Sequence, residues 1–152
     1  MKFTNGYWKI RDGLRAYHPA EAYDLETTPH GLTVYAPTTP IRHRGDTLNG
    51  KMLTLHFSSP MPDVIRARVE HWQGGRERGP EFQVMSNKVI SDEVISDETG
   101  TTLTSGRLSV RVRRDAWGVE YLANGRVLTR SGHKGLGLIE TDRGEHYLHE
   151  QL

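Results

Sequence analysis

Cysteine is absent from the chain, which excludes disulfide stapling, thiolate catalysis and cysteine-zinc sites and leaves the redox compartment open. No apolar run approaches the roughly 20 residues that a membrane-spanning helix needs. The opening residues, with Lys2, Thr4 and Asn5 among them, lack the apolar core of a secretory signal. A cytoplasmic location is therefore expected. Charge of one sign is also missing: 20 Lys and Arg face 19 Asp and Glu, for a net charge of +1. With no global field, neither nucleic acid nor a membrane is an expected partner. Nor does any window carry apolar residues at the i, i+3, i+4, i+7 spacing of an amphipathic helix.

What is present is a period of two. Leu53, Leu55 and Phe57 alternate with Met52, Thr54 and His56. Leu108, Val110 and Val112 alternate with Ser109, Arg111 and Arg113, and Ile65, Ala67 and Val69 with Arg66, Arg68 and Glu70. Such alternation predicts strands with one wet face. Sixteen Gly and seven Pro punctuate the chain and predict many turns. The clearest hairpin lies at residues 118–129, where Asn124-Gly125 supplies the two positive-φ positions of a type I′ turn. Short strands without helices between them predict an all-β fold, a two-sheet antiparallel β-sandwich, with a small barrel as the alternative. At 152 residues the chain is expected to form a single domain, 1–152. The immediate repeat Val-Ile-Ser-Asp-Glu at 89–93 and 94–98 has an odd period. In one straight strand the two copies would bury opposite faces, so a bulge or turn is predicted near Glu93 and Val94.

Residues that could carry chemistry are scattered. Eight His residues are present, but His146 and His149, three apart on a strand, point to opposite faces and cannot share an ion. No metal or cofactor is expected. Gly132-His-Lys-Gly-Leu-Gly137 lacks the spacing of a phosphate loop and reads as a turn. A Gly-x-Ser-x-Gly elbow is also missing. Four Arg between 107 and 114 and four acids between 91 and 98 read as solvated faces that could be neighbours. Trp8, Trp72 and Trp117 could stack on a pyranose, though Trp117, just ahead of the hairpin, reads as core. The richest polar stretch is Arg42-His-Arg-Gly-Asp-Thr-Leu-Asn-Gly50. Carboxylates, amides and forked guanidinium donors of this kind bind sugar hydroxyls. Asp46 is the first candidate for a substrate contact, with Arg42, Arg44 and Asn49 beside it.

That stretch, with residues 2–8, 18–24, 32–37, 57–66, 79–82, 103–110 and 147–152, resembles the N-terminal domain of bacterial family 31 glycoside hydrolases, the α-xylosidase and α-glucosidase group. The resemblance implies a galactose-mutarotase-like sandwich ahead of a catalytic (β/α)8 barrel. It implies retaining hydrolysis of α-linked glycosides by two carboxylates about 5 Å apart. Both belong to barrel motifs that this sequence lacks, so no catalytic residue is expected here. The expected partners are the barrel, the α-glycoside substrate and, through the face that the barrel would cover, further copies of the chain. The alternative function is an autonomous carbohydrate-binding or oligomerisation module.

Overall fold

A computed structural model describes residues 3–5, 9–28, 31–48, 50–71, 93–114 and 116–152. The chain is all-β. Its strands are β1 (Thr4–Asn5), β2 (Lys9–Ile10), β3 (Leu14–Tyr17), β4 (Asp24–Thr28), β5 (Gly31–Pro37), β6 (Met52–Ser58) and β7 (Arg66–His71). They continue as β8 (Glu93–Ser96), β9 (Gly100–Ser105), β10 (Leu108–Arg113), β11 (Val119–Ala123), β12 (Arg126–Ser131), β13 (Leu136–Thr141) and β14 (His146–Glu150). Every pairing is antiparallel. Two larger sheets, ordered β4-β5-β6-β7 and β12-β11-β10-β9-β8, are joined by a smaller β14-β13-β3 sheet and the short β1-β2 pair. The two-sheet expectation thus holds for the two main layers, and the hydrogen bonding adds two satellite ladders.

Alternation does what it should at the centre. Leu53, Leu55 and Phe57 of β6 are buried, as are Leu32, Val34 and Ala36 of β5 and Val110 and Val112 of β10. They form one core cluster with Leu103, Val119, Leu136 and Leu138. That cluster draws side chains from both main sheets and from β13, so the layers are stacked as a sandwich. At the edge the pattern weakens: on β7, Ala67 is exposed and Val69 only half-buried, and among the described residues this strand has a neighbour on one side only. Trp117 is in the core, 7% exposed, and its buried indole N–H finds no acceptor among the described residues. The hairpin at Asn124 and Gly125 has φ of 50° and 76°, as a type I′ turn requires. One bulge interrupts it: Tyr121 pairs with Thr129 but Leu122 with Val127, which leaves Leu128 unpaired and 59% exposed.

The two layers are fastened by a carboxylate. Asp63, in the turn between β6 and β7, accepts the Arg107 backbone N–H at 2.6 Å on Oδ1, and Arg107 Nη2 and Nε at 2.9 and 3.1 Å on Oδ2. Arg107 sits in the β9–β10 hairpin beside Gly106, whose φ is 58°. A β-carbon there would run into the Asp63 carboxylate, so only glycine fits. Ser59 and Ser105 add a hydroxyl pair at 2.6 Å across the same junction.

The second Val-Ile-Ser-Asp-Glu copy supplies β8. Its register against β9 is unbroken from Glu93 to Ser96, with Val94 packed on the core and Ile95 turned outward. No bulge falls at the Glu93–Val94 step, where the ladder runs on regularly and the last residue of the first copy joins β8; residues 89–92 lie outside the described residues. The acidic and basic runs meet where Arg111 pairs with Asp97 at 2.9 Å. The stretch at 132–137 is a turn closed by Gly135 N–H to Gly132 O, followed directly by β13.

Candidate functional site

The polar stretch at 42–49 is the tip of an excursion between β5 and β6. Its base is closed by Thr38, which donates both its N–H and its hydroxyl to Lys51 O, at 2.9 and 3.1 Å. Its tip is a 3-10 turn, Arg44–Thr47. The side chains themselves dictate that turn. His43 is extended, with φ −152° and ψ 169°, and its Nδ1 accepts the Gly45 N–H at 3.1 Å. Asp46 reaches back to accept the N–H groups of Arg42 and His43 on Oδ2 at 2.8 and 3.1 Å. The result is a reciprocal capping box that satisfies the free donors of the turn. His43 Nε2 lies 3.4 Å from Asp46 Oδ1. With Nδ1 accepting, the ring proton is assigned to Nε2. Thr47 Oγ1 closes the turn on Arg44 O at 2.8 Å.

A second carboxylate holds the loop from outside. Glu21, between β3 and β4, accepts the Ile41 N–H at 2.8 Å and the Arg42 guanidinium at 2.8 and 3.1 Å. Burial pushes the Glu21 carboxyl up, but the Arg42 and Ile41 donors outweigh it and hold it below the usual range.

The structure thus sorts the four residues expected from sequence. Asp46 and Arg42 are brought together, and both are largely engaged in holding the loop. Arg44 is exposed, and its guanidinium has no partner among the described residues. Leu48 beside it is 73% exposed. Asn49 lies outside the described residues. Glu21, which the sequence reading passed over, is the loop's main external anchor. Twenty residues separate it from Ile41, and no short motif signals the pairing.

A second polar cluster lies on the small sheet. Glu140 is flanked by Lys51 at 3.7 Å and His146 at 3.6 Å, and His146 stacks on His71 with 5.1 Å between ring centroids. Beside it, Gly13, Leu14, Arg15, Glu140, Thr141, Asp142 and Gly144 line a groove of about 450 Å³. No group of three or more His, Asp or Glu able to hold a metal ion occurs among the described residues. No described helix is long and apolar enough to cross a membrane.

Over 154 aligned positions, the whole chain is 36% identical to the alpha-xylosidase XylQ of Lactiplantibacillus pentosus. The chain is homologous to the α-xylosidases. An alpha-xylosidase of Emericella nidulans is 33% identical over 118 residues, or 74% of the chain. The chain spans 20% and 14% of the lengths of these two relatives, so what aligns is a part of a much larger glycosidase. No protein-family model matches. The resemblance read from the sequence is upheld at this level: an all-β chain homologous to one part of the α-xylosidases.

Proposed function

We propose that the chain is the non-catalytic N-terminal sandwich domain of a family 31 α-glycosidase, packing on the catalytic (β/α)8 barrel and lending the 42–49 loop to the rim of the sugar pocket. The observation that carries this reading is the alignment of the entire chain with one fifth of an α-xylosidase. The reaction of the whole enzyme, on this reading, is retaining hydrolysis of an α-glycoside, with nucleophile and acid both supplied outside this segment. Apart from the barrel, the partners are the α-glycoside and, through the face the barrel would cover, further copies of the chain.

The loop suits the rim of a sugar site because it is shaped before any ligand arrives. A carboxylate offers about four acceptor sites, and Asp46 spends two of them, both on Oδ2, on the Arg42 and His43 N–H groups. Its Oδ1 remains for a sugar hydroxyl. Arg44 adds forked donors that have no partner among the described residues, and Leu48 adds an apolar surface. Arg42 and Asn49 complete the candidate set.

The test is kinetic. In the complete enzyme, Asp46→Ala should raise KM for an aryl α-xyloside, or change leaving-group preference, by more than its loss of stability explains. An unchanged kinetic profile removes the loop from the pocket. The 152-residue chain alone should not turn over the same substrate; turnover would overturn the non-catalytic reading.

A further inference from the structure

The bonds that shape the loop do not aim it. Those made by Asp46, by the His43 ring and by Thr47 all close within residues 42–47. They fix a rigid unit without fixing its direction relative to the sandwich. Direction must come from bonds that leave the unit, and Glu21 supplies the strongest of those among the described residues. We infer that Glu21 is a positioning residue: through Ile41 and Arg42 it sets the angle at which the loop presents Arg44 and Asp46 to the sugar. This inference rests on the loop reading above and names the group that makes that reading work.

Three observations support it. The carboxylate grips two kinds of donor at once, a main-chain N–H and a guanidinium, so it restrains both the path of the chain and a side chain. Charge-assisted bonds of this type are stronger and more directional than neutral ones. Second, Glu21 stands on a fixed base. Ala20 N–H bonds Pro37 O and Tyr23 N–H bonds Tyr35 O, both at 2.9 Å, while Ala22 is buried in the core. The segment carrying Glu21 is therefore stitched along β5, the strand from which the loop departs. Third, the Glu21 side chain is only 18% exposed against 66% for Arg42. Water competes weakly for the anchor, while the arm it holds reaches outward.

The consequence is mechanical. A contact residue displaced by about 1 Å can lose on the order of a hundredfold in rate or binding. Release of the grip should act on substrate binding without touching the reacting carboxylates.

The experiment measures KM and kcat for 4-nitrophenyl α-xyloside on the complete enzyme, with Glu21→Ala, Glu21→Gln, Arg44→Ala and the double variant Glu21→Ala/Arg44→Ala. Glu21→Ala should raise KM on the order of tenfold, with kcat changed little. Glu21→Gln keeps an acceptor for Ile41 but loses the charged grip on Arg42, and should fall between wild type and Glu21→Ala. Arg44→Ala should raise KM in the wild-type background but add little in the Glu21→Ala background, because a misdirected arginine has nothing left to lose. Independent, additive effects would overturn the inference. So would a Glu21→Ala enzyme with lowered melting temperature and wild-type KM, which would make Glu21 a plain tether. If Arg44→Ala and Asp46→Ala raise KM while both Glu21 variants do not, the loop reading stands and Glu21 positioning falls. If none of the variants moves KM, the loop reading itself falls. Should Glu21→Ala fail to fold, Glu21→Gln with the double variant Glu21→Gln/Arg44→Ala carries the same comparison.

Discussion

Two aspartates organise two turns of this chain in opposite ways. Asp46 spends its bonds on residues within four positions of itself. Asp63 spends its own on Arg107, 44 residues away, across the two layers of the sandwich. The first makes a small object with its own shape, attached to the fold by an outside anchor. The second makes a joint, and without it the β6–β7 turn and the β9–β10 hairpin have one fewer reason to stay together. A local cap specifies form; a distant clasp specifies arrangement. Only a shape with its own internal bonds can be aimed as a unit, which is why the first kind suits a binding rim.

Glycines should show this difference most strongly. Gly106→Ala puts a side chain at φ 58° and drives it into the Asp63 carboxylate. It should cost about 2 kcal/mol or more of global stability, read from chemical denaturation. Gly45→Ala has no such backbone penalty, and its new methyl meets only the edge of the exposed His43 ring at 3.1 Å. It should shift the same midpoint by about 0.5 kcal/mol or less. Equal costs at the two positions would erase the distinction between cap and clasp.

The aspartates themselves should differ in where their loss is felt. Asp46→Ala removes one half of a capping box, worth about 1 kcal/mol to the turn. It should speed hydrogen exchange at the Arg42 and His43 amides while leaving strand amides protected. Asp63→Ala should instead lower the melting temperature of the whole chain. Loss of protection throughout the strands in the Asp46 variant would show that the loop is not a separable unit.

The smallest effect is electrostatic and comes from a third aspartate. Asp97 accepts from the hydroxyl and N–H of Thr99 first, then from Gly100 N–H, with Arg111 nearby, and its carboxyl is pulled down to about 2. Because its folded value lies below its unfolded one, its contribution is complete above about pH 4. That contribution fades as pH falls through about 2. The group is exposed, so the effect on stability is slight, and a carboxyl-carbon NMR titration is the fitting readout. A midpoint at the ordinary aspartate value would mean that the Thr99 and Gly100 bonds do not persist in solution.

Local rules made much of this legible in advance. The alternation at Leu53, Leu55 and Phe57, the Asn124-Gly125 turn and the burial of Trp117 follow from steric and hydrophobic preferences that act over a few residues. The polar stretch at 42–49 also stood out by its composition. What stayed hidden depends on partners far apart in the chain. Nothing in Glu21 or its neighbours announces a bond to Arg42, and nothing near Asp63 announces Arg107. Asp46 shows the same limit from the other side. Its residue type suggested a sugar contact, whereas its position three residues after His43 makes it first a cap. The satellite ladder of β3, β13 and β14 was equally invisible, because it joins the two ends of the sequence.

The bulge at Leu128 has an effect on how this molecule meets its own kind. Among the described residues β12 is the outermost strand of the five-stranded sheet, and a straight outermost strand is a template onto which another chain can add. Here the kink breaks the even row of amides and carbonyls, and Arg126 and Arg130 flank it with like charge. Growth of the sheet from molecule to molecule is disfavoured at that border, so a neighbour meeting this side must be held by its side chains and not by a shared backbone ladder.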